Sequence, residues 1–118
     1  ITDSMRAAGL SSGESILGSL KDGLKVIVED GVAKLPDRTA FAGSIATADR
    51  CVRTMVQQAC VPLLHAVQMM TSTPARICKV DRSKGTLTVG KDADVVIFDE
   101  NIQVKATIIN GRVIFNEL

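Results

Sequence analysis

The sequence has no tryptophan and no tyrosine, and only three phenylalanines among its 118 residues. Stacking platforms for single-stranded nucleic acid need aromatic faces, so that class of partner is disfavoured. A basic footprint is missing as well. Fourteen Lys and Arg are balanced by thirteen Asp and Glu, for a net charge of +1. Scattered charge of this kind argues against nucleic acid and against an acidic membrane surface. No apolar run approaches the ~18–20 residues that would span a bilayer as a helix. Cysteine is sparse and odd in number. Cys51, Cys60 and Cys78 show no C-x-x-C spacing, so neither a disulfide framework nor a zinc knuckle is indicated. Buried thiols in a reducing compartment are the expectation.

Catalytic sets are equally thin. A metal centre needs about three protein ligands, yet His65 is the one histidine of the chain. It has no H-x-x-x-H partner and falls beside an apolar helical stripe, which predicts a helix-flank or surface role. There is no G-x-S-x-G elbow around Ser44 and no G-x-G-x-x-G at Gly9 and Gly13. These residues alone do not assemble a hydrolytic site.

What the chain does have is core material. Apolar residues make up 46% of it, enough to fill a domain of ordinary size. Ile1-Thr2-Asp3 reads as the tail of a strand, and Met5 to Gly13 as a loop. Three β-like runs follow, Glu14 to Leu20, Leu24 to Glu29 and Val32 to Leu35. Asp22-Gly23 and Asp30-Gly31 separate them, and Asp-Gly is a strong two-residue hairpin signal. The period then becomes helical. Cys51, Val52, Met55, Val56 and Ala59 form one stripe from Ala48 to Cys60, with Thr47 as N-cap and with Arg50, Arg53, Gln57 and Gln58 turned outward. Pro62 opens a second helix to about Thr71, and Pro74 to Cys78 is a short helical turn. Beyond Gly85 the pattern is β. Leu87 and Val89 alternate with Thr, Val95 to Phe98 reads as a strand covered on both faces, and Asn110-Gly111 joins two strands, Val104 to Ile109 and Arg112 to Phe115.

This order closes no sheet of its own, so the expectation is the C-terminal part of a larger polypeptide. Asp3 is the carboxylate this raises. An Asp at the C-terminal end of a strand is where barrel enzymes place catalytic groups. The local sequence permits a second role, capping the following loop, and leaves both open.

Several separated stretches resemble one family. Thr2-Asp3-Ser4-Met5-Arg6-Ala7 is similar to the "TDAM-x-A" stretch of N-acetylglucosamine-6-phosphate deacetylases, within the amidohydrolase superfamily. Phe41-Ala42-Gly43-Ser44-Ile45-Ala46-Thr47 resembles their "LAGS-x-LT" loop, Cys51-Val52-Arg53 their "AVR" helix, and Thr73-Pro74-Ala75-Arg76 their "NPAR" turn. Lys84 to Leu87, Gly90 to Val96 and Ala106 to Gly111 resemble the closing β segment, which is shared across the superfamily. Three positions depart from the pattern: Ser4 stands for Ala, and Phe41 and Ala46 each stand for Leu.

The resemblance implies an α/β fold. Residues 1–84 would end a metal-dependent (β/α)8 TIM barrel, and residues 85–118 would be the C-terminal share of a small β-sandwich. It implies a cytoplasmic, homo-oligomeric (dimeric) hydrolase that removes acetate from N-acetylglucosamine 6-phosphate, a phosphorylated amino sugar. Asp3 would be the catalytic residue, a general base beside a divalent metal ion (Zn or similar). Phe41, Ala42 and Gly43 would contact the sugar. The metal ligands are expected upstream, in the remainder of the same polypeptide, and the segment alone is expected to be inactive. Another amidohydrolase, a deaminase or cyclic amidohydrolase, shares the closing segment. A non-catalytic packing or oligomerisation module is the reading outside enzymes.

Overall fold

The computed structural model describes all residues, Ile1 to Leu118. Two compact units divide the chain, Ile1–Ala48 and Asp49–Leu118. No helix is long and apolar enough to cross a membrane.

The first unit is built on a meander. Strands β1 (Gly13–Leu17), β2 (Leu24–Glu29) and β3 (Val32–Lys34) pair antiparallel in the order β1-β2-β3. Val26 and Val28 alternate inward along β2 and are fully buried. Val28 sits opposite Ala33 in the register, and Ala7, Val28, Ala33 and Ile45 pack as one small cluster with Met5 against it. The Asp30-Gly31 hairpin is as expected. Both residues have positive φ, 52° and 73°, the type I′ signature that matches strand twist. Asp22-Gly23 behaves differently. Leu17 pairs with Leu24, so residues 18–23 form a longer connection and Asp22-Gly23 is only its end.

An ion cluster closes the β2–β3 hairpin on the outside. The Arg38 guanidinium spans Glu29, with Nε to Oε1 at 2.9 Å and Nη2 to Oε2 at 3.1 Å. Lys34 Nζ reaches Glu29 Oε1 at 3.3 Å and Asp30 Oδ2 at 2.8 Å. The Arg38 hydrogen bond, aided by Lys34, holds the Glu29 carboxyl below its ordinary value of 4.5. The Lys34 hydrogen bond does the same for Asp30. A carboxylate with a lowered folded-state pKa contributes stability above its unfolded value, and that share is lost as pH falls through the lowered value. Water screens these exposed groups, so the contribution is modest. An NMR titration of the Glu29 carboxyl is expected to place its midpoint under 4.5 and to move it upward in Arg38→Ala. A midpoint that ignores Arg38 would contradict the pairing.

The second unit carries three helices and a second sheet. Helix α1 (Ala48–Gln57) begins immediately after Thr47 and stops before the expected end. Helix α2 (Leu63–Met70) starts behind Pro62, which supplies the non-helical N-cap conformation. Helix α3 (Ser72–Ile77) includes Pro74 in its first turn. Ala66 and Ala75 are the buried residues of α2 and α3. Strands β4 (Val95–Phe98), β5 (Val104–Ile109) and β6 (Arg112–Asn116) form an antiparallel sheet in the order β4-β5-β6. Asn110 and Gly111, with φ 53° and 75°, make the expected type I′ turn. Asp94 fastens it, accepting the Asn110 N–H at 2.9 Å.

Several expectations are corrected here. Arg53 does not point freely outward. It donates to the Asn101 carbonyl at 3.0 Å, the Ile102 carbonyl at 2.7 Å and the Asp49 carboxylate at 2.8 Å. A guanidinium has enough donors to satisfy a whole turn of carbonyls. Strand β4 is not fully covered, since Val96 and Ile97 are 52% and 39% exposed. Leu87 and Val89 join no strand and are exposed, because alternation produces a strand only where a neighbouring edge is free to pair. The cysteines are not buried. Cys60 and Cys78 are exposed and Cys51 is half-buried, the first two lying past the ends of α1 and α3.

Candidate active site

The expected site residues lie in the first unit, on two segments joined by one short pairing. Ser4 bridges Ser44 in parallel, and the Met5 N–H donates to the Ser44 carbonyl at 2.8 Å. Asp3 directly precedes the bridged Ser4, and Gly43 directly precedes the bridged Ser44. Two hydroxyls reinforce the junction. The Ser4 hydroxyl donates to the Ala46 carbonyl, and Ser44 Oγ accepts the Ala46 N–H at 3.2 Å.

Ile1-Thr2-Asp3 is not a strand ladder in this chain. Only Ser4 is bridged, and Asp3 takes φ 49°, which ends the extended run. The Asp3 side chain is exposed. It accepts no hydrogen bond from the loop that follows, so it does not cap that loop. An Asp carboxylate in this setting has its acceptor positions open to solvent.

The loop opposite is anchored on one side and open on the other. Leu35 N–H donates to the Ala40 carbonyl at 2.9 Å and Ala42 N–H to the Ala33 carbonyl at 2.8 Å, so Phe41 bridges Lys34 on β3. Phe41 itself is 76% exposed, whereas Ala42 is 5% exposed. Ala42 therefore has its methyl in the core and its N–H committed to β3, which leaves only its carbonyl for a ligand. Gly43 is exposed with φ 84°, and its amide takes part in no backbone hydrogen bond of the chain. A Cβ at Gly43 would come within 3.2 Å of Leu17 and 3.6 Å of Met5, so this close, left-handed corner favours glycine.

No group of three or more His, Cys, Asp or Glu side chains is placed to hold a metal ion. The residues present do not by themselves fit a metal site. His65 is exposed on α2. An open groove in the second unit, bordered by Gln68, Arg76, Asp81 and Lys91, contains none of the expected site residues. Ser4 and Ser44 stand out in the sequence only as a departure from the motif and as a serine without an elbow, and neither is marked there as a junction residue. The one available signal for that role was position, each being next to a residue already singled out.

A profile of the amidohydrolase family matches residues 11–114. The chain belongs to the amidohydrolase family. Its curated relatives within that family include N-acetylglucosamine-6-phosphate deacetylases. The protein of Caenorhabditis elegans is 36% identical over 115 residues, covering 98% of this chain and 27% of the relative. That of Lysinibacillus sphaericus is 42% identical over 113 residues, covering 96% of this chain and 28% of the relative. The crystal structure of the Pasteurella multocida N-acetylglucosamine-6-phosphate deacetylase superposes with a TM-score of 0.86 at 29% identity, covering 98% of this chain and 29% of that one. This amidohydrolase chain thus spans between a quarter and a third of the length of these proteins.

Proposed function

We propose that the chain is the C-terminal part of an enzyme that releases acetate from N-acetylglucosamine 6-phosphate, leaving glucosamine 6-phosphate. The reading is supported by the Ser4–Ser44 bridge, which joins the segment bearing the exposed Asp3 carboxylate to the loop bearing the exposed Gly43. The relatives named above supply the substrate class. In this reading Asp3 takes a proton from the water that attacks the amide carbonyl, then delivers it to the departing amine. The amide C–N bond breaks as the new C–O bond forms, and the proton leaves with the amine. Phe41 and the Gly43 amide border the sugar, with Ala42 contributing its carbonyl.

The wider assembly belongs to the same proposal. Residues 1–84 complete a (β/α)8 barrel and residues 85–118 complete a small β-sandwich, each with the remainder of the polypeptide. A divalent metal ion, Zn or similar, would take its ligands from outside these 118 residues. The enzyme is proposed to be a cytoplasmic dimer.

The test is acetate release by the protein that carries this segment, assayed with N-acetylglucosamine 6-phosphate, with unphosphorylated N-acetylglucosamine and with a cyclic amide. Turnover of the phosphorylated sugar, strongly preferred over the other two, is expected. Preference for the cyclic amide would transfer the chain to another branch of the amidohydrolases.

A further inference from the structure

We infer that Ser4 is a positioning residue that ties the Asp3 strand end to the ligand loop. The inference rests on the proposed function for its catalytic consequence and on the structure alone for the tie itself. Ser4 occupies a position where the resembled motif has alanine.

The geometry gives that hydroxyl a defined task. Ser4 and Ser44 are joined by a single parallel bridge, and the one backbone bond that crosses at this point is Met5 N–H to the Ser44 carbonyl at 2.8 Å. A lone bridge is a weak register lock, because no ladder extends it on either side. The Ser4 hydroxyl adds a second crossing, donating to the Ala46 carbonyl two residues further along the loop. Ala46 in turn donates its N–H to Ser44 Oγ at 3.2 Å. The peptide groups at both ends of Ala46 are thus bound, one across the junction and one within the loop. Side chains of this size that bond backbone groups act as local substitutes for a ladder. Ser4 follows Asp3 directly, and Ala46 lies three residues beyond Gly43. The hydroxyl therefore links the segment that carries the proposed base to the loop that carries the glycine corner.

The experiment uses the protein that carries this segment, with Ser4→Ala and the hydroxyl-retaining Ser4→Thr. Hydrogen exchange is read at Met5 and Ala46, and steady-state kinetics with N-acetylglucosamine 6-phosphate. In Ser4→Ala, exchange at both amides is expected to accelerate about tenfold, which is the effect of a crossing bond worth roughly 1.4 kcal/mol. KM is expected to rise about threefold and kcat to fall about tenfold, since misplacement of a reacting group acts on both. Ser4→Thr is expected to restore all three. A merely structural role would lower activity in step with the folded fraction and leave KM where it was. Unchanged exchange in Ser4→Ala overturns the tie, and unchanged KM with faster exchange overturns its catalytic part. If the parent protein releases no acetate, the proposed function fails, while the exchange data still decide on the tie.

Discussion

Asp3→Asn is expected to lower turnover by about 10²–10⁴-fold in the protein that carries this segment, the range that a positioned proton carrier contributes. Asparagine is nearly the same shape but cannot accept and return the proton. Folding should be indifferent to the change. The Asp3 carboxylate is exposed and engages no neighbour in hydrogen bond or ion pair, so its charge can be removed without stranding a partner. Stability within ~0.5 kcal/mol of the parent is therefore expected, and KM should hold while kcat collapses. The capping role makes the opposite forecast. A cap contributes about 1 kcal/mol, so its loss would show in the melting curve and hardly at all in turnover. Near-parental kcat for Asp3→Asn would remove Asp3 from the chemistry.

The second large effect is structural. Gly23→Ala is expected to destabilise the first unit by about 3 kcal/mol. A Cβ built at Gly23 falls 2.3 Å from the Ser19 carbonyl oxygen, 2.5 Å from that of Leu17 and 2.6 Å from Ile16 Cγ2. Two of these are backbone atoms and cannot swing aside. The Gly23 N–H also donates to the Ser19 carbonyl at 2.8 Å, so a shift that relieves the clash costs that bond. The β1–β2 connection would have to open, and limited proteolysis should cut within residues 18–23 of the variant first. Asp22→Ala, at the exposed neighbour, is the control and should be close to neutral. A Gly23→Ala protein with parental denaturant midpoint and parental protease resistance would contradict the packing described.

Both forecasts draw on features that the sequence announced unevenly. Asp22-Gly23 reads as a two-residue hairpin by its letters, yet the pairing of Leu17 with Leu24 makes it the end of a longer loop. The same letters at Asp30-Gly31 do form the two-residue turn, with Glu29 opposite Val32. What separates the two is where the flanking strands find their partners, which the dipeptide does not encode. Asp3 could be singled out by its neighbours, but the pairing of Ser4 with the loop forty residues on was open. Ala42 shows the same limit. The family resemblance implies that it contacts a sugar, and only the structure shows that its methyl is turned inward and its N–H spent on Ala33.

Sequence alone determined the local elements of this amidohydrolase chain. The type I′ turns at Asp30-Gly31 and Asn110-Gly111, the helix behind Thr47, the helix behind Pro62 and the strands of both meanders all follow from interactions within a few residues. Positive φ, a fixed proline φ and a hydrophobic period act before any distant contact forms. Tertiary structure decided what those elements meet. It paired Ser4 with Ser44, sent Arg53 to the carbonyls of Asn101 and Ile102, and left Val96 and Ile97 of β4 and the Leu87–Val89 run exposed. These outcomes depend on which edge, carbonyl or apolar face lies within reach after the chain has folded back, and no short stretch of residues carries that information.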